Sequence, residues 1–309
     1  MRVLSIDGGG IRGIIPAMVL AEVEARTGRR IADLFDLVAG TSTGGILACA
    51  LTAPSPRTAA ALVDLYRAEG PRIFHRSLWQ RVVSADGLAH ARHDPQPLKD
   101  VLHDYLGEAR LGDATTRLLA TSYDLQGRAP YFFKSWRTAG EPERDLELKT
   151  VALATAAAPT YFPPVLVHPP GGGAPLTLAD GGVFANNPAM CAYAEAVRLA
   201  PGTPITVLSL GTGTQTHEMP YAQAVHWGLV EWARPILDVV FDGVADTVDY
   251  QLQHVLGEGY TRLQCRLDTA SDALDDADPA NIEALADCAQ RLITAKSATL
   301  DAVCAALAT

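Results

Sequence analysis

Five residues, Gly40-Thr41-Ser42-Thr43-Gly44, stand between a short apolar run, Leu37-Val38-Ala39, and a helical one, Ile46–Leu51. This order of strand, sharp turn and helix constrains the chain more than any other feature. A serine at the tip of such a turn has a strained backbone, and only small residues fit beside it where the chain passes close to itself. The turn lifts the hydroxyl out of the sheet edge, and the helix N-terminus behind it favours developing negative charge. Ser42 is therefore the candidate nucleophile, with Gly40 and Gly44 as the glycines of its elbow. An α/β fold is the architecture that supplies such a turn.

The remaining pattern agrees with an α/β sheet. Short apolar runs predict strands at Val3–Ile6, Arg117–Thr121, Tyr131–Lys134, Leu176–Ala179, Ile205–Leu210 and Tyr260–Leu267. Helical patterns run from Pro16 to about Arg26 with Gly28 at the end, over Leu148–Ala157 before Pro159, and over Pro188–Leu199. Near the end of the chain Ile282, Leu285, Ala289, Leu292, Ile293, Leu300 and Val303 recur at helical spacing, as a core-packing face does. Residues 1–270 are expected to form one domain, with 271–309 a helical extension packed on it. Pro169-Pro170-Gly171-Gly172-Gly173 reads as a loop just before a strand.

With 48% of its 309 residues hydrophobic and 19% charged, the chain has ample material for a core. A net charge of −10 argues against binding a nucleic-acid polymer and against docking on anionic lipid by bulk charge. The five cysteines show no C-x-x-C spacing, so neither a disulfide frame nor a metal site is expected. No run approaches the ~20 apolar residues of a membrane span, and the start of the chain lacks the pattern of a secretory leader. A cytoplasmic location is the expectation.

A second glycine-rich turn, Asp7-Gly8-Gly9-Gly10-Ile11-Arg12-Gly13, follows the first strand. Successive glycines expose backbone N–H groups that can cradle an anion, either a nucleotide phosphate or the oxyanion of acyl transfer. Gly8–Gly13 does fit G-x-G-x-x-G. However, the acidic residue that a dinucleotide site needs is not well placed, because Glu22 and Glu24 fall in the helix, and no G-K-[S/T] follows. Arg12 either steadies the loop or counters negative charge.

An activated serine needs a proton acceptor. None of the eight histidines sits in a motif that marks a triad member. The strongest carboxylate context is Leu178-Ala179-Asp180-Gly181-Gly182, where a short strand ends in an aspartate that two glycines leave free to turn. An aspartate, with an ordinary pKa of ~3.9, is a weak base in water. It works within hydrogen-bond reach of Ser42 if desolvation raises its basicity and if oxyanion donors carry several kcal/mol of the barrier reduction.

Taken together and in this order, Asp7–Gly13, Gly40–Gly44 and Asp180-Gly181-Gly182 resemble the patatin-like phospholipases, a family of lipid acyl hydrolases. Residues 156–164, 181–188 and 208–213 also look like segments of that family. The third motif reads D-G-G instead of the commoner D-G-A, which leaves the aspartate in place. The resemblance implies a three-layer α/β/α fold with a mostly parallel central sheet and a helical C-terminal portion. It further implies a Ser42–Asp180 dyad, an oxyanion hole from Gly8, Gly9 and Gly10 helped by Arg12, and no cofactor or metal. The substrate would be a phospholipid or other glycerolipid, reached by transient contact with a membrane surface.

Two readings compete. A Ser–His–Asp esterase would recruit a distant histidine, such as His168 or His217. A nucleotide-binding module would use the glycine loop for phosphate. The family resemblance also allows a hybrid of the phospholipase and nucleotide readings, a phospholipase effector of antiphage defence switched on by a cyclic nucleotide, with a small nucleotide activator as partner. For membrane contact, the sequence offers Ile73-Phe74 and Leu78-Trp79 among Arg72, His75, Arg76 and Arg81, set against a helix or loop simply packed on the body.

Overall fold

A computed structural model describes residues 1–75, 91–214, 218–232 and 235–308. Eight strands form one sheet: β1 (Arg2–Ile6), β2 (Leu37–Gly40), β3 (Arg117–Asp124), β4 (Ala129–Lys134), β5 (Val165–Val167), β6 (Leu176–Asp180), β7 (Thr206–Leu210) and β8 (Tyr260–Leu263). Pairing runs β5-β6-β3-β2-β1-β7-β8, with β4 also on β3. The five strands from β3 to β8 along this path are parallel, whereas β4, β6 and β5 join antiparallel.

Side chains alternate across the sheet, as the two-residue period of a strand requires. Leu4, Ile6, Leu118, Ala120, Leu208 and Leu263 point into the larger core. That side is covered by α1 (Ile14–Thr27), α2 (Thr43–Thr52), α3 (Ala59–Ile73), α4 (Gln96–Leu106), α5 (Leu148–Thr155), and the final pair α8 (Pro279–Ala295) and α9 (Ser297–Ala308). Val3, Leu37, Ala39, Leu119, Val207 and Tyr260 point the other way, under α6 (Ala189–Leu199) and α7 (Pro235–Leu256). Apolar faces on both sides explain why the parallel strands read as continuous apolar runs. The result is a three-layer α/β/α fold.

Local signals set several boundaries. Pro16 lies in the first turn of α1, and Gly28 closes that helix at φ 66°, the left-handed conformation glycine tolerates best. The helix expected over Leu148–Ala157 stops at Thr155. The strand expected over Tyr260–Leu267 ends at Leu263. There Gln264 turns its side-chain oxygen onto the Gly213 N–H (2.7 Å), breaking the ladder until an isolated bridge at Thr214 and Arg266. The stripe from Ile282 to Leu300 is buried in the same core as the sheet, with Val303 partly buried against it.

One feature of the register builds the site. β2 and β4 both pair with Leu119 and Ala120, so they lie on opposite edges of β3. β4 and β6 both pair with Ser122 to Asp124, so β6 shares an edge with β2. β2 runs parallel to β3 and ends opposite Ala120, whereas β6 runs antiparallel and ends opposite Ser122. Their carboxyl ends therefore meet head to head beside Thr121.

Candidate active site

The elbow occupies the gap between those two ends. Ser42 has φ 56° and ψ −125°, a left-handed backbone that costs a non-glycine residue on the order of 1–3 kcal/mol. The surroundings fix it there. A methyl group on Gly40 would fall 2.1 Å from the Gly44 carbonyl oxygen, and one on Gly44 would fall 2.2 Å from that of Ile6. The Thr41 hydroxyl meets that of Thr121 at 2.6 Å and the Ala185 carbonyl at 2.6 Å. The Ser42 N–H donates to Thr155 Oγ1 (3.0 Å), whose hydroxyl donates on to the Thr121 carbonyl (2.6 Å).

Asp180 arrives from the opposing strand end. Its N–H donates to the Ala157 carbonyl (2.9 Å), and its Oδ1 accepts from the Gly182 N–H (2.7 Å). Gly181 and Gly182 are required by space, since a methyl on the first would strike Thr121 and one on the second would crowd Phe241. The carboxyl is fully buried, and desolvation lifts its pKa to about 7, with hydrogen bonds from the Ser42 side chain and the Gly182 N–H pulling in the opposite direction. Oδ2 has no partner of ordinary hydrogen-bond geometry among the described residues, so the Ser42 contact is looser than the Gly182 one. The sequence-derived pair is thus brought together, with the carboxyl's proton affinity raised to near neutrality.

The glycine loop flanks Ser42 on the other side. A methyl on Gly8 would lie 2.3 Å from Asn186 Oδ1 and 3.2 Å from Ser42 Cβ. The Gly8 N–H is engaged with the Asn186 carbonyl (3.0 Å), and the Ile11 N–H with that of Leu274 (2.9 Å). Among the described residues no acceptor meets the N–H groups of Gly9 and Gly10, and both glycines line the cleft beside Ser42. Of the three expected donors, Gly8 thus has its N–H engaged, whereas those of Gly9 and Gly10 have no acceptor among the described residues. Arg12 does not line the cleft. It is buried behind the loop, where its Nε donates to the Gly9 carbonyl (3.3 Å) and burial lowers its pKa against the opposing pull of Asp242, Asp238 and Asp272. Its place is that of a brace.

From Ser42 a narrow apolar cleft runs between α3 and α4, with a cavity volume of about 70 Å³. Tyr66, Ile73, Phe74, Leu98, Leu102 and Phe162 form much of its wall. The Tyr66 hydroxyl is hydrogen-bonded to that of Thr43, the residue after Ser42. Ile73 and Phe74, read from sequence as part of a basic-aromatic surface patch, face this cleft instead. Arg76, Leu78, Trp79 and Arg81 of that patch lie outside the described residues.

No histidine among the described residues lines the cleft. His168 is exposed beyond β5, and His217 lies outside the described residues. One buried His–Asp pair does exist, with His93 Nε2 and Asp275 Oδ2 2.8 Å apart. Its imidazole packs on the rings of Phe74, Tyr161 and Phe162, behind the cleft wall. Among the described residues there is no group of three or more His, Cys, Asp or Glu that could hold a metal ion, and no helix is long and apolar enough to cross a membrane.

Sequence reasoning missed Asn186, Thr155, Thr212 and Phe241 as site residues. Asn186 and Thr212 fall within the segments 181–188 and 208–213 already noted as similar to family sequences, but Thr155 and Phe241 carry no local signal.

Comparison with known proteins gives the same outline. The family model described as patatin-like phospholipase matches residues 4–193. Patatin-like protein 2 of Arabidopsis thaliana is 32% identical, over 92% of this chain and 80% of its own length. Patatin-04/09 of Solanum tuberosum is 34% identical, over 95% of this chain and 83% of its own. A further potato relative, named "Probable inactive patatin-3-Kuras 1", is 33% identical over 95% and 86%. Among solved structures, VipD from Legionella pneumophila aligns with a TM-score of 0.40 and 11% identity, over 95% of this chain and 66% of that one. With a family match spanning the glycine loop, the elbow and the aspartate strand, and relatives aligned nearly end to end, the chain belongs to the patatin-like phospholipase family.

Proposed function

We propose that the protein is a lipid acyl hydrolase that cleaves carboxylic esters of glycerolipids, of the phospholipase A or lysophospholipase type, through an acyl-serine intermediate. The observation that carries this reading is the buried Asp180 carboxyl, with a pKa near 7, interacting with Ser42 at the head of an apolar cleft. Because one potato relative carries the word inactive in its name, family membership alone does not argue for activity. The reading rests on the side chains present here.

In the ionised form Asp180 accepts the proton as Ser42 Oγ attacks the ester carbonyl. A base whose pKa lies near working pH is effective at this. Negative charge then gathers on the carbonyl oxygen, and the free N–H groups of Gly9 and Gly10 are the donors placed to receive it. Arg12 contributes by bracing Gly9, and Gly8 by anchoring the loop on Asn186. Collapse of the tetrahedral intermediate breaks the bond to the glycerol oxygen, which leaves with the proton held by Asp180. Water then attacks the acyl-serine, losing a proton to the same carboxylate. The second collapse releases fatty acid and returns that proton to Ser42 Oγ. The acyl chain would lie in the cleft between α3 and α4.

Lipid is supplied from an aggregate, so transient contact with a membrane surface is part of the proposal. Its support is the stretch after β7, where Tyr221 (82% exposed) and Leu229 (93%) stand out with Val225, Trp232, Ile236 and Val239. That stretch leaves the carboxyl end of β7 and leads to Phe241, which lines the cleft. Aromatic and aliphatic groups so exposed suit the interface of a bilayer.

The test is mass spectrometry of phospholipid vesicles incubated with wild type, Ser42→Ala and Asp180→Asn. Free fatty acid with matching lysolipid from wild type alone supports the proposal, and the lysolipid isomer reports the acyl position. Equal products from Asp180→Asn, or none from wild type, refute it. Adding cyclic nucleotides to the wild-type assay decides the activated-effector version.

A further inference from the structure

Behind the glycine loop, on the face of the sheet away from the acyl cleft, lies a buried charged pair outside the mechanism above. Arg262 projects from β8 and places Nη2 2.6 Å from Asp7 Oδ2, while Nη1 donates to Ser209 Oγ at 2.8 Å. Both charged side chains are largely excluded from solvent. Register explains the meeting. Ser5, Ser209 and Arg262 are direct neighbours across β1, β7 and β8, so a guanidinium in this row reaches back to the end of β1. Asp7 is the residue at which the chain leaves β1, immediately before Gly8.

We infer that Arg262 is a positioning residue for catalysis: through Asp7 it fixes the point from which the glycine loop departs, and so sets where the Gly9 and Gly10 N–H groups stand relative to Ser42. The inference rests on the acyl-hydrolase reading of the site. Neutral contacts also hold the same loop, among them Asp7 N–H to the Leu210 carbonyl (3.0 Å), Thr212 Oγ1 to the Gly8 carbonyl (2.7 Å), Gly8 N–H to the Asn186 carbonyl and Ile11 N–H to that of Leu274. The Arg262–Asp7 contact is the ion pair of the set, and the contact that reaches the base of the loop from β8.

Physical chemistry favours a geometric role over a merely stabilising one. A buried ion pair gains little stability over apolar residues of similar volume, because desolvation cancels much of the attraction. What the pair does provide is direction, since a guanidinium fork and a carboxylate meet in few geometries. Burial alone pushes the Asp7 carboxyl upward, and Arg262 counters that pull; Asp249 and Asp246 add to the upward push. Without Arg262, Asp7 would sit buried near other acids and would gain by turning away. A shift of about 1 Å in catalytic donors costs roughly 100-fold in rate.

The experiment compares wild type with Arg262→Met, Arg262→Lys and Asp7→Asn. Each is assayed for kcat and KM on soluble p-nitrophenyl butyrate, for the rate of Ser42 labelling by a fluorophosphonate, and for Tm. Arg262→Met is expected to lose about 100-fold in kcat, with KM within about twofold and labelling slowed in parallel. Arg262→Lys should recover part of kcat. The assay is run well below each variant's Tm, so unfolding does not contribute. The inference is overturned if folded Arg262→Met keeps kcat within about threefold of wild type, or if the loss falls on KM. Should Arg262→Met fail to fold, Arg262→Lys and Asp7→Asn decide by the same kcat-against-KM split. A wild type that neither hydrolyses the ester nor labels at Ser42 would instead sink the acyl-hydrolase reading itself.

Discussion

Asp180→Asn should abolish hydrolysis and at the same time stabilise the protein at alkaline pH. The carboxyl has an ordinary value of 3.8, and burial lifts it to about 7 in the folded protein. The folded state therefore holds this proton more tightly than the unfolded chain does. Stability from that preference is fully present below about pH 4 and is lost as pH rises through 7. By linkage the difference amounts to ~4 kcal/mol between the two plateaus, as an upper bound. Asparagine has nearly the same shape and does not titrate, so its difference from wild type isolates the charge. Urea denaturation of both proteins from pH 4 to pH 8.5 measures this. The stability of Asp180→Asn minus that of wild type should climb by a few kcal/mol across pH 5–8. Over the same window wild-type kcat/KM on a soluble ester should rise with an apparent pKa near 7, because the ionised form is the base. Stability and activity would then move in opposite directions with one proton. A stability difference that stays flat with pH would refute the reasoning, and so would an activity profile already saturated at pH 5.

Four further outcomes follow. Gly44→Ala puts a methyl 2.2 Å from a backbone oxygen, so it should destabilise by ~1–3 kcal/mol and eliminate fluorophosphonate labelling of Ser42, as read by urea midpoint and gel fluorescence. Leu102→Trp fills the cleft, so hydrolysis of p-nitrophenyl palmitate should fall roughly tenfold relative to the butyrate ester. His93→Gln removes one of two partners of Asp275, the other being Arg92, which should lower stability by ~2 kcal/mol while leaving butyrate hydrolysis within about threefold; loss of turnover in a folded variant would revive a histidine-based mechanism. Leu229→Asp should reduce co-sedimentation with phosphatidylcholine vesicles and leave soluble-ester hydrolysis unchanged.

The parts of the site legible in the sequence are those whose constraint is local. Gly40 and Gly44 are dictated by close approach within a few residues, so the elbow shows itself as spacing. The loop Gly8–Gly10 shows itself for the same reason, yet which of its N–H groups stay free depends on Asn186, some 180 residues away in sequence. Arg262 was hidden inside a short strand: Tyr-Thr-Arg-Leu gives no hint that the arginine faces inward until Ser209 is known to be its neighbour. Ile73 and Phe74 left two readings open, a membrane-facing patch and packing on the body. Their basic neighbours suggested a surface, but they end a helix whose inner face borders the cleft.

Under the proposed mechanism two groups do work that commonly takes three, and the forked edge of β3 supplies what the third would. In a Ser–His–Asp triad the third residue orients the base and tunes its proton affinity. Here the Gly182 N–H holds one carboxyl oxygen at 2.7 Å, leaving the other without a partner of ordinary geometry among the described residues. Burial between two opposed strand ends raises the carboxyl's proton affinity to the neutral range. Orientation thus comes from backbone and tuning from desolvation, and neither requires an imidazole. The arrangement depends on β6 running antiparallel to β2 along the same edge, since a parallel β6 would carry Asp180 away from Ser42 along the strand. In this fold the meeting of Ser42 and Asp180 is a consequence of strand direction.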